Sequence, residues 1–234
     1  MATRNDTPTQ LSIVIPVLNE ATTIGAALAA LQPLREVGHE VIVADGGSQD
    51  GTREAAEGLH DQWVTAARGR AVQMNAGAAA AQGDVLVFLH ADTRLPADAP
   101  DWLARFCRGS KAWGRFDVRL SGQRFLFRVI AFFMNHRSRM TGICTGDQAL
   151  FVRRAVFEAL GGFDELPLME DVALSRRLRQ HSWPFRVPSA VTTDSRRWQK
   201  HGAWRTIALM WRLRWAYWCG VAPERLARRY YGTD

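Results

Sequence analysis

Four short apolar runs recur in the first ninety residues: LSIVIPV (11–17), EVIVAD (40–45), QWVTAA (62–67) and DVLVFLH (84–90). Each is bounded by turn-forming residues and has the length of a buried strand. Between them lie stretches of helical composition: an Ala- and Leu-rich segment through Leu34 that Asn19 can cap, Thr52 to Leu59 behind Asp50, and GRAVQMNAGAAAA (69–81). Strands alternating with helices predict an α/β fold, a Rossmann-like, mostly parallel sheet flanked by helices on both faces. Ligands of such sheets bind beyond the carboxyl ends of the strands. Those ends carry Pro16 to Glu20, Asp45 to Asp50 and His90 to Asp92, so a polar rim is expected there.

The last of these ends, VFLHADT (87–93), stops an apolar strand at a histidine and an acid. The period of two along a strand predicts that His90 and Asp92 point the same way. Such a pair can hold a metal, carry a proton or face water. The second half of the chain is less regular. WGRFDVRL (113–120) alternates like a half-exposed strand, and FLFRVIAFFMNHRSR (125–139) is apolar with a basic end. CTGDQALFVRR (144–154) reads as a turn into a strand, GGFDELPLMEDVALSRRLRQ (161–180) as a loop into a helix, and PFRVPSAVTTDSRRW (184–198) as extended chain.

Hydrophobic residues make up 47% of the 234, enough to bury a core. Lys and Arg number 30 against 23 Asp and Glu, and 30 − 23 = +7. That excess suits an anionic partner: a nucleotide diphosphate, a nucleic acid or an acidic membrane surface. Cys107, Cys144 and Cys219 are far apart and lack metal-ligand spacing, as expected of reduced thiols in a cytoplasmic protein. Met1 to Gln10 is polar, unlike a signal peptide, and no run of 18 apolar residues is present. No repeat or long linker divides the chain. One domain over 1–234 is expected, with a nucleotide-binding half (1–110), an acceptor-side half (111–200) and a Trp/Arg-rich helical tail (201–234).

Six pieces in order, IVIPVLNE, ADGGSQDGT, FLHADT, TGDQALFVRR, GGFDE and MEDVALSRRL, span about residues 11–200 and together resemble glycosyltransferase family 2, the nucleotide-sugar transferases with the GT-A fold. GRAVQMNAGA, FLHADT and the tryptophan-rich tail also resemble a subgroup found beside radical-SAM and selenium-related domains, which implies no settled substrate. The family resemblance implies an inverting transfer of a sugar from a nucleoside diphosphate, with uridine the expected base, to an unidentified acceptor. A divalent cation, Mn²⁺ or Mg²⁺, would neutralise the leaving diphosphate. Such ions take oxygen ligands and are held by one or two carboxylates plus phosphates.

Residue by residue, Asp92 stands at the family's D-x-D-like strand end and is the candidate metal ligand. The alternative is a solvated strand-end acid. His90 departs from the commoner acid there; an imidazole can ligate Mn²⁺, bond a phosphate or merely brace the Asp92 loop. Asp45 matches the acid that accepts a uracil imide N–H, although Ala44-Asp45-Gly46 departs from two successive acids; a turn-forming role is the alternative. Pro16 can pack on the base, and Glu20 can accept a ribose hydroxyl or sit near a helix N-terminus. Arg70, better placed than Arg68, opens a helix where phosphate binds well, unless it is a solvated arginine. Asp171 at the start of DVALSRRLR is the implied base that deprotonates the acceptor; on spacing alone it is a cap or dipole partner. Glu170 would orient the acceptor or the helix. Gly146 gives a sugar close approach or forms a tight turn. Arg197 and Trp198 resemble the family's loop ending in R-W, with Asp194 where Gln or Arg is usual. They would hold diphosphate and stack on the acceptor, unless they are surface residues.

AWRTIALMWRLRWAYW (203–218) forms a two-faced helix. At 100° per residue Trp204, Ile207, Ala208, Trp211, Trp215 and Trp218 share one face, and Leu209, Leu213 and Tyr217 the other. One face can pack on the domain while the other meets an anionic membrane, with Arg225, Arg228 and Arg229 adding attraction. Core packing plus a homodimer contact is the competing expectation. A membrane-facing tail would suit a lipid-linked or hydrophobic acceptor and a peripheral location on the cytoplasmic membrane face. A catalytically degenerate membrane- or partner-binding protein is the second functional reading, motivated by His90 and the altered acid pair. VLNEATT is not the glycine-rich basic loop of a nucleotidyltransferase, no G-x-G-x-x-G follows the first strand, and nucleic-acid binding has only the charge and the tryptophans behind it.

Overall fold

In the computed structural model, residues 9–196, 198 and 202–232 are described. One mixed eight-stranded sheet, in the order β3-β2-β1-β4-β7-β6-β8-β5, organises them. The strands are β1 (Leu11–Val17), β2 (Glu40–Asp45), β3 (Gln62–Thr65), β4 (Val85–Phe88), β5 (Thr93–Arg94), β6 (Trp113–Leu120), β7 (Phe151–Arg153) and β8 (Phe185–Thr193). The β3-β2-β1-β4 half is parallel, as the alternation predicts. β7 then runs antiparallel to both β4 and β6. The chain order reverses direction at β1, which makes the β1/β4 crevice the switch point where α/β sheets bind ligands.

Period-two alternation divides the core between the two faces of the sheet. Ile13, Ile15, Val41, Val43, Val85 and Val87 pack on one side with Leu28 and Phe106. Val14, Ile42, Leu86 and Phe88 pack on the other with Met74, Phe157 and Leu174. The covering helices are α1 (Ile24–Ala29), α2 (Gln32–Glu36), α3 (Thr52–Ala56), α4 (Arg70–Ala80), α5 (Ala99–Arg108), α6 (Phe125–Thr141), α7 (Arg154–Ala159), α8 (Glu170–His181), α9 (Ala203–Trp218) and α10 (Pro223–Tyr231).

Four expectations change. The first predicted helix is two, interrupted at Ala30 and Leu31 ahead of Pro33. Asn19 does not cap it: at φ +56° it accepts from Gln49 N–H through Oδ1 at 2.9 Å and so ties the β1 rim to the β2 rim. The fourth strand ends at Phe88, because Thr93 N–H closes a turn on the His90 carbonyl at 3.0 Å. β6 is covered on both faces apart from Arg119, and its Arg115 and Asp117 are buried as an ion pair.

Candidate active site

The rim forms where three loops converge. Glu20 follows β1; its carboxylate accepts from Thr23 Oγ1 at 2.6 Å, and its N–H donates to Thr52 Oγ1 at 2.8 Å. Asp50 accepts from Thr52 N–H and, through its other oxygen, from Ala21 N–H at 3.2 Å. Asp50 stands one residue before Gly51, the N-cap of α3, and ties the first two loops together. Asp45, at the end of β2, accepts from Ser48 Oγ at 2.6 Å and Ser48 N–H at 3.0 Å. Both bonds reach three residues ahead and brace the loop after β2. Gly46 admits Gln73 of α4: a Cβ there would lie 2.9 Å from the Gln73 amide carbon. Gln73 Nε2 donates to the carbonyls of Val17 and Ala44 at 2.6 and 3.0 Å, bracing β1 against β2 where the rim begins. The sequence signal for Gln73 is only its place in GRAVQMNAGA.

His90 and Asp92 do not share a strand face, because both lie in the turn after β4. His90 reaches toward Asp147, with Nδ1 3.8 Å from Oδ1. It lines a cleft of about 90 Å³ with Arg70, Gly146, Asp147, Glu170, Asp171, Met210, Arg214 and Tyr230. Asp92 borders the neighbouring cavity of about 310 Å³, formed by Thr22, Thr23, Ala26, Arg94, Thr192 and Asp194. Pro16 is half-buried at the end of β1, opposite Ala44.

Electrostatics concentrate here. Burial, with Arg70 adding repulsion, lowers the His90 imidazole to about 3, so the ring is neutral near pH 7. Burial raises the Asp147 carboxyl to about 6, and the Asp92 charge pushes the same way. The Asp147 side chain keeps 43% of its area exposed, so crowding rather than sealing desolvates it. Burial also lifts Asp92 above the ordinary carboxylate range, against the Thr93 hydroxyl that bonds it at 3.2 Å. A desolvated carboxylate and a second one that its charge raises are relieved by a cation. Among the described residues no three His, Cys, Asp or Glu side chains enclose a metal. The donor set therefore fits an ion held by Asp92 and completed by a ligand's own oxygens, not a cage built from protein alone. The sequence signal for Asp147 is its place in TGDQALFVRR.

Asp171 opens α8. Its Oδ2 accepts from Gly146 N–H and its Oδ1 from Val172 N–H, both at 2.7 Å. Gly146 begins a 3₁₀ turn (Gly146–Gln148), and a side chain on it would overlap the His90 ring. The tight turn and the close packing of His90 both use this glycine. Glu170 is 4% exposed, and burial followed by the Asp171 charge raises it to about 7. Arg70 Nη1 stands 3.7 Å from Glu170 Oε1, linking the first turn of α4 to α8. Met169 (φ +72°), just before Glu170, and Ala149 (φ +45°), just after the 3₁₀ turn, take left-handed backbone. Such strain collects at functional sites. Trp198 packs against Leu120, Phe127 and Ile130 at the base of α9. Arg197 lies outside the described residues.

A switch-point rim, a desolvated acid pair and an acid fixed at a helix start define a GT-A-type α/β protein built to handle a charged ligand. The chain belongs to glycosyl transferase family 2, whose model matches residues 12–161. It is 34% identical over 202 residues to the succinoglycan biosynthesis protein ExoA of Rhizobium meliloti (strain 1021), covering 74% of this chain and 58% of the relative. It is 26% identical over 227 residues to the beta-monoglucosyldiacylglycerol synthase of Synechocystis sp., covering 83% and 47%. The chain thus spans about half the length of the curated relatives it matches. Its fold is similar to that of mannosyltransferase PcManGT from Pyrobaculum calidifontis, solved with GDP-Man and Mn²⁺, at a TM-score of 0.61 and 22% identity over 81% of this chain and 57% of that one.

Proposed function

We propose that this chain transfers a sugar from a nucleoside diphosphate to an acceptor hydroxyl with inversion at the anomeric carbon. One observation carries the reading: Asp171 is clamped by two backbone N–H groups at a helix start, inside the cleft that Arg70, His90 and Asp147 line. A carboxylate so fixed takes the acceptor proton as the acceptor oxygen attacks the anomeric carbon. The sugar–phosphate C–O bond breaks on the opposite face, and the diphosphate leaves with the electron pair. Arg70, at the N-terminus of α4, would steady that leaving group. Asp92 would hold Mn²⁺ or Mg²⁺ against the diphosphate, where the ion offsets the growing charge. Family membership and the relatives' reactions support this reading. Asp45 and Pro16 would meet the base at the rim of β1 and β2, with Glu20 beside the ribose and Glu170 and Trp198 on the acceptor side. Arg197 would join the diphosphate contacts.

The acceptor reading is lipid-linked or hydrophobic, presented at an anionic membrane surface. Trp204, Trp211, Trp215 and Trp218 are between 65% and 76% exposed, with Arg205 and Arg212 exposed among them. Phe125, Phe132, Phe133 and Met140 of α6 are exposed too. Apolar rings flanked by cations complement an anionic interface. Among the described residues no helix is long and apolar enough to cross a membrane. Thermal-shift titration with UDP-glucose, UDP-N-acetylglucosamine and GDP-mannose, each with and without Mn²⁺, tests the donor reading. Metal-dependent stabilisation by at least one of them is expected. Its absence for all three would favour the degenerate, partner-binding alternative.

A further inference from the structure

The facing sides of α6 and α9 end in two arginines that make no ion pair within 4.0 Å among the described residues. Ile130 and Met134 of α6 share a packed cluster with Ala203 and Ile207 of α9. One to two turns further along each helix stand Arg137 and Arg214, on the continuation of the packed stripes. Arg137 is half-buried, and its Nε and Nη2 are sealed from solvent with no hydrogen-bond partner among the described residues. Arg214 lines the Asp171 cleft and has no ion pair within 4.0 Å among the described residues. Each guanidinium is held below its ordinary value, foremost by burial. Arg137, which the Arg214 charge pushes further down, falls to about 10. Asp171 opposes the shift in both cases, so both cations feel the candidate base.

Two half-buried like charges, one of them with sealed and unpartnered donors, are costly without an anion. Of the carboxylates that act on them, Asp147 shares the cleft with Arg214 but makes no ion pair with it within 4.0 Å among the described residues, and Asp171 and Asp117 are already engaged. Both oxygens of Asp171 accept backbone N–H groups, and Asp117 is taken by Arg115 and Arg186. Guanidinium pairs match phosphoryl oxygens in both geometry and charge. Both arginines belong to the second half of the chain, and Arg214 lines the cleft that Arg70 and His90 also line.

We infer that Arg137 and Arg214 form a phosphoryl-binding subsite on the acceptor side of Asp171, so that the acceptor carries a phosphate ester close to the hydroxyl that receives the sugar. This inference rests on the transferase reading, because it takes Asp171 as the base. The same chemistry is offered by a soluble phosphate monoester and by a phospholipid headgroup.

The test is thermal-shift titration of the full chain with inorganic phosphate, at saturating UDP and Mn²⁺ so that donor contacts are filled. Wild type should be stabilised with saturation. Arg137→Met and Arg214→Gln should each raise the half-saturating concentration by about tenfold or more, and Arg214→Lys should recover part of the loss. Without phosphate, Arg137→Met should melt at or above the wild-type temperature, since it removes idle buried donors. A merely structural arginine would make it melt lower. UDP–Mn²⁺ affinity is measured on the same variants and should be unchanged. Equal phosphate response in wild type and both variants overturns the inference. Loss of UDP affinity in both variants overturns it too, by assigning the pair to the donor. A failed donor reading is recognised separately, as wild type that binds no nucleotide. Competition with phosphate by glycerol 3-phosphate identifies a soluble acceptor, and competition by phosphatidylglycerol vesicles alone a lipid one. Either result supports the subsite.

Discussion

Gly146 donates its N–H to Asp171 Oδ2 at 2.7 Å, across 25 residues of chain, and so fixes the candidate base from outside its own helix. The same glycine leaves room for the His90 ring. Its position therefore joins the turn after β4 to the start of α8. Gly146→Ala should push the two apart. Overpacking of this kind costs about 1–3 kcal/mol. Displacing the base by an ångström costs on the order of 100-fold in turnover. Donor hydrolysis or transfer should fall by that order while nucleotide affinity changes little. Full turnover in a folded Gly146→Ala protein would refute the link.

Glu170 predicts how stability follows pH. Its folded pKa is about 7 against 4.5 unfolded. A group raised in this way gives its full stabilisation below 4.5 and loses it as pH rises through 7. The protein without ligand should therefore lose melting temperature between those values. Glu170→Gln should flatten the decline and melt higher than wild type at about pH 8. Arg70, half exposed at 48%, loses only a screened partner. Parallel melting curves for the two proteins across that range would rule out the titration.

Asp117 holds β6 together from inside. It accepts from Arg115 and from Arg186 Nη2 at 2.5 Å, and Arg139 Nη2 lies 3.9 Å away. Arg115 is 1% exposed. Asp117→Asn leaves that guanidinium buried without its counter-charge, at a cost of about 3–5 kcal/mol. Chemical denaturation should register the loss at unchanged m-value. A change under about 1 kcal/mol would mean that water reaches Arg115 in solution.

Features governed by local periodicity were legible in the sequence. The four apolar runs became the parallel half of the sheet. The 100° wheel correctly separated Leu209, Leu213 and Tyr217, which pack at α10, from the exposed tryptophans. What was not legible depends on contacts distant in sequence. WGRFDVRL alternates like a half-exposed strand, yet β8 and the helices cover both of its faces, and the arginine–aspartate pair survives there only because each partner neutralises the other. His90 and Asp92 share a face only if the strand continues. The turn that ends it is set by β5 pairing with β8, a hundred residues on. Gln73, Asp147 and Arg137 are ordinary in sequence and acquire meaning from neighbours on other elements.

The tryptophan face predicts membrane behaviour separable from folding. Trp211 and Trp215 are 70% and 65% exposed, so a Trp211→Ala/Trp215→Ala double variant should stay near wild-type stability, within about 0.5 kcal/mol per site. Co-sedimentation with phosphatidylglycerol vesicles should fall several-fold, and added salt should weaken wild-type binding. Neutral phosphatidylcholine vesicles should bind little. Vesicle binding that is indifferent to the double substitution would turn attention to a dimer contact.

Asp92 and Asp171 border adjacent cavities rather than one, which makes their roles separable by measurement. Asp92 is desolvated, bonded by a neighbouring hydroxyl and crowded by Asp194. Removing its charge should abolish the metal dependence of nucleotide binding. Asp171 touches backbone N–H groups alone. Asp171→Asn keeps the shape but loses the proton acceptor, so nucleotide and Mn²⁺ should bind as in wild type. Turnover should drop by roughly 10²–10⁴-fold, the contribution typical of a positioned general base. Calorimetric titration of UDP with Mn²⁺ on both variants, followed by single-turnover donor consumption, separates the two effects. If Asp171→Asn also lost nucleotide affinity, the carboxylate would belong to the donor contacts, and the base would have to be sought elsewhere in the cleft.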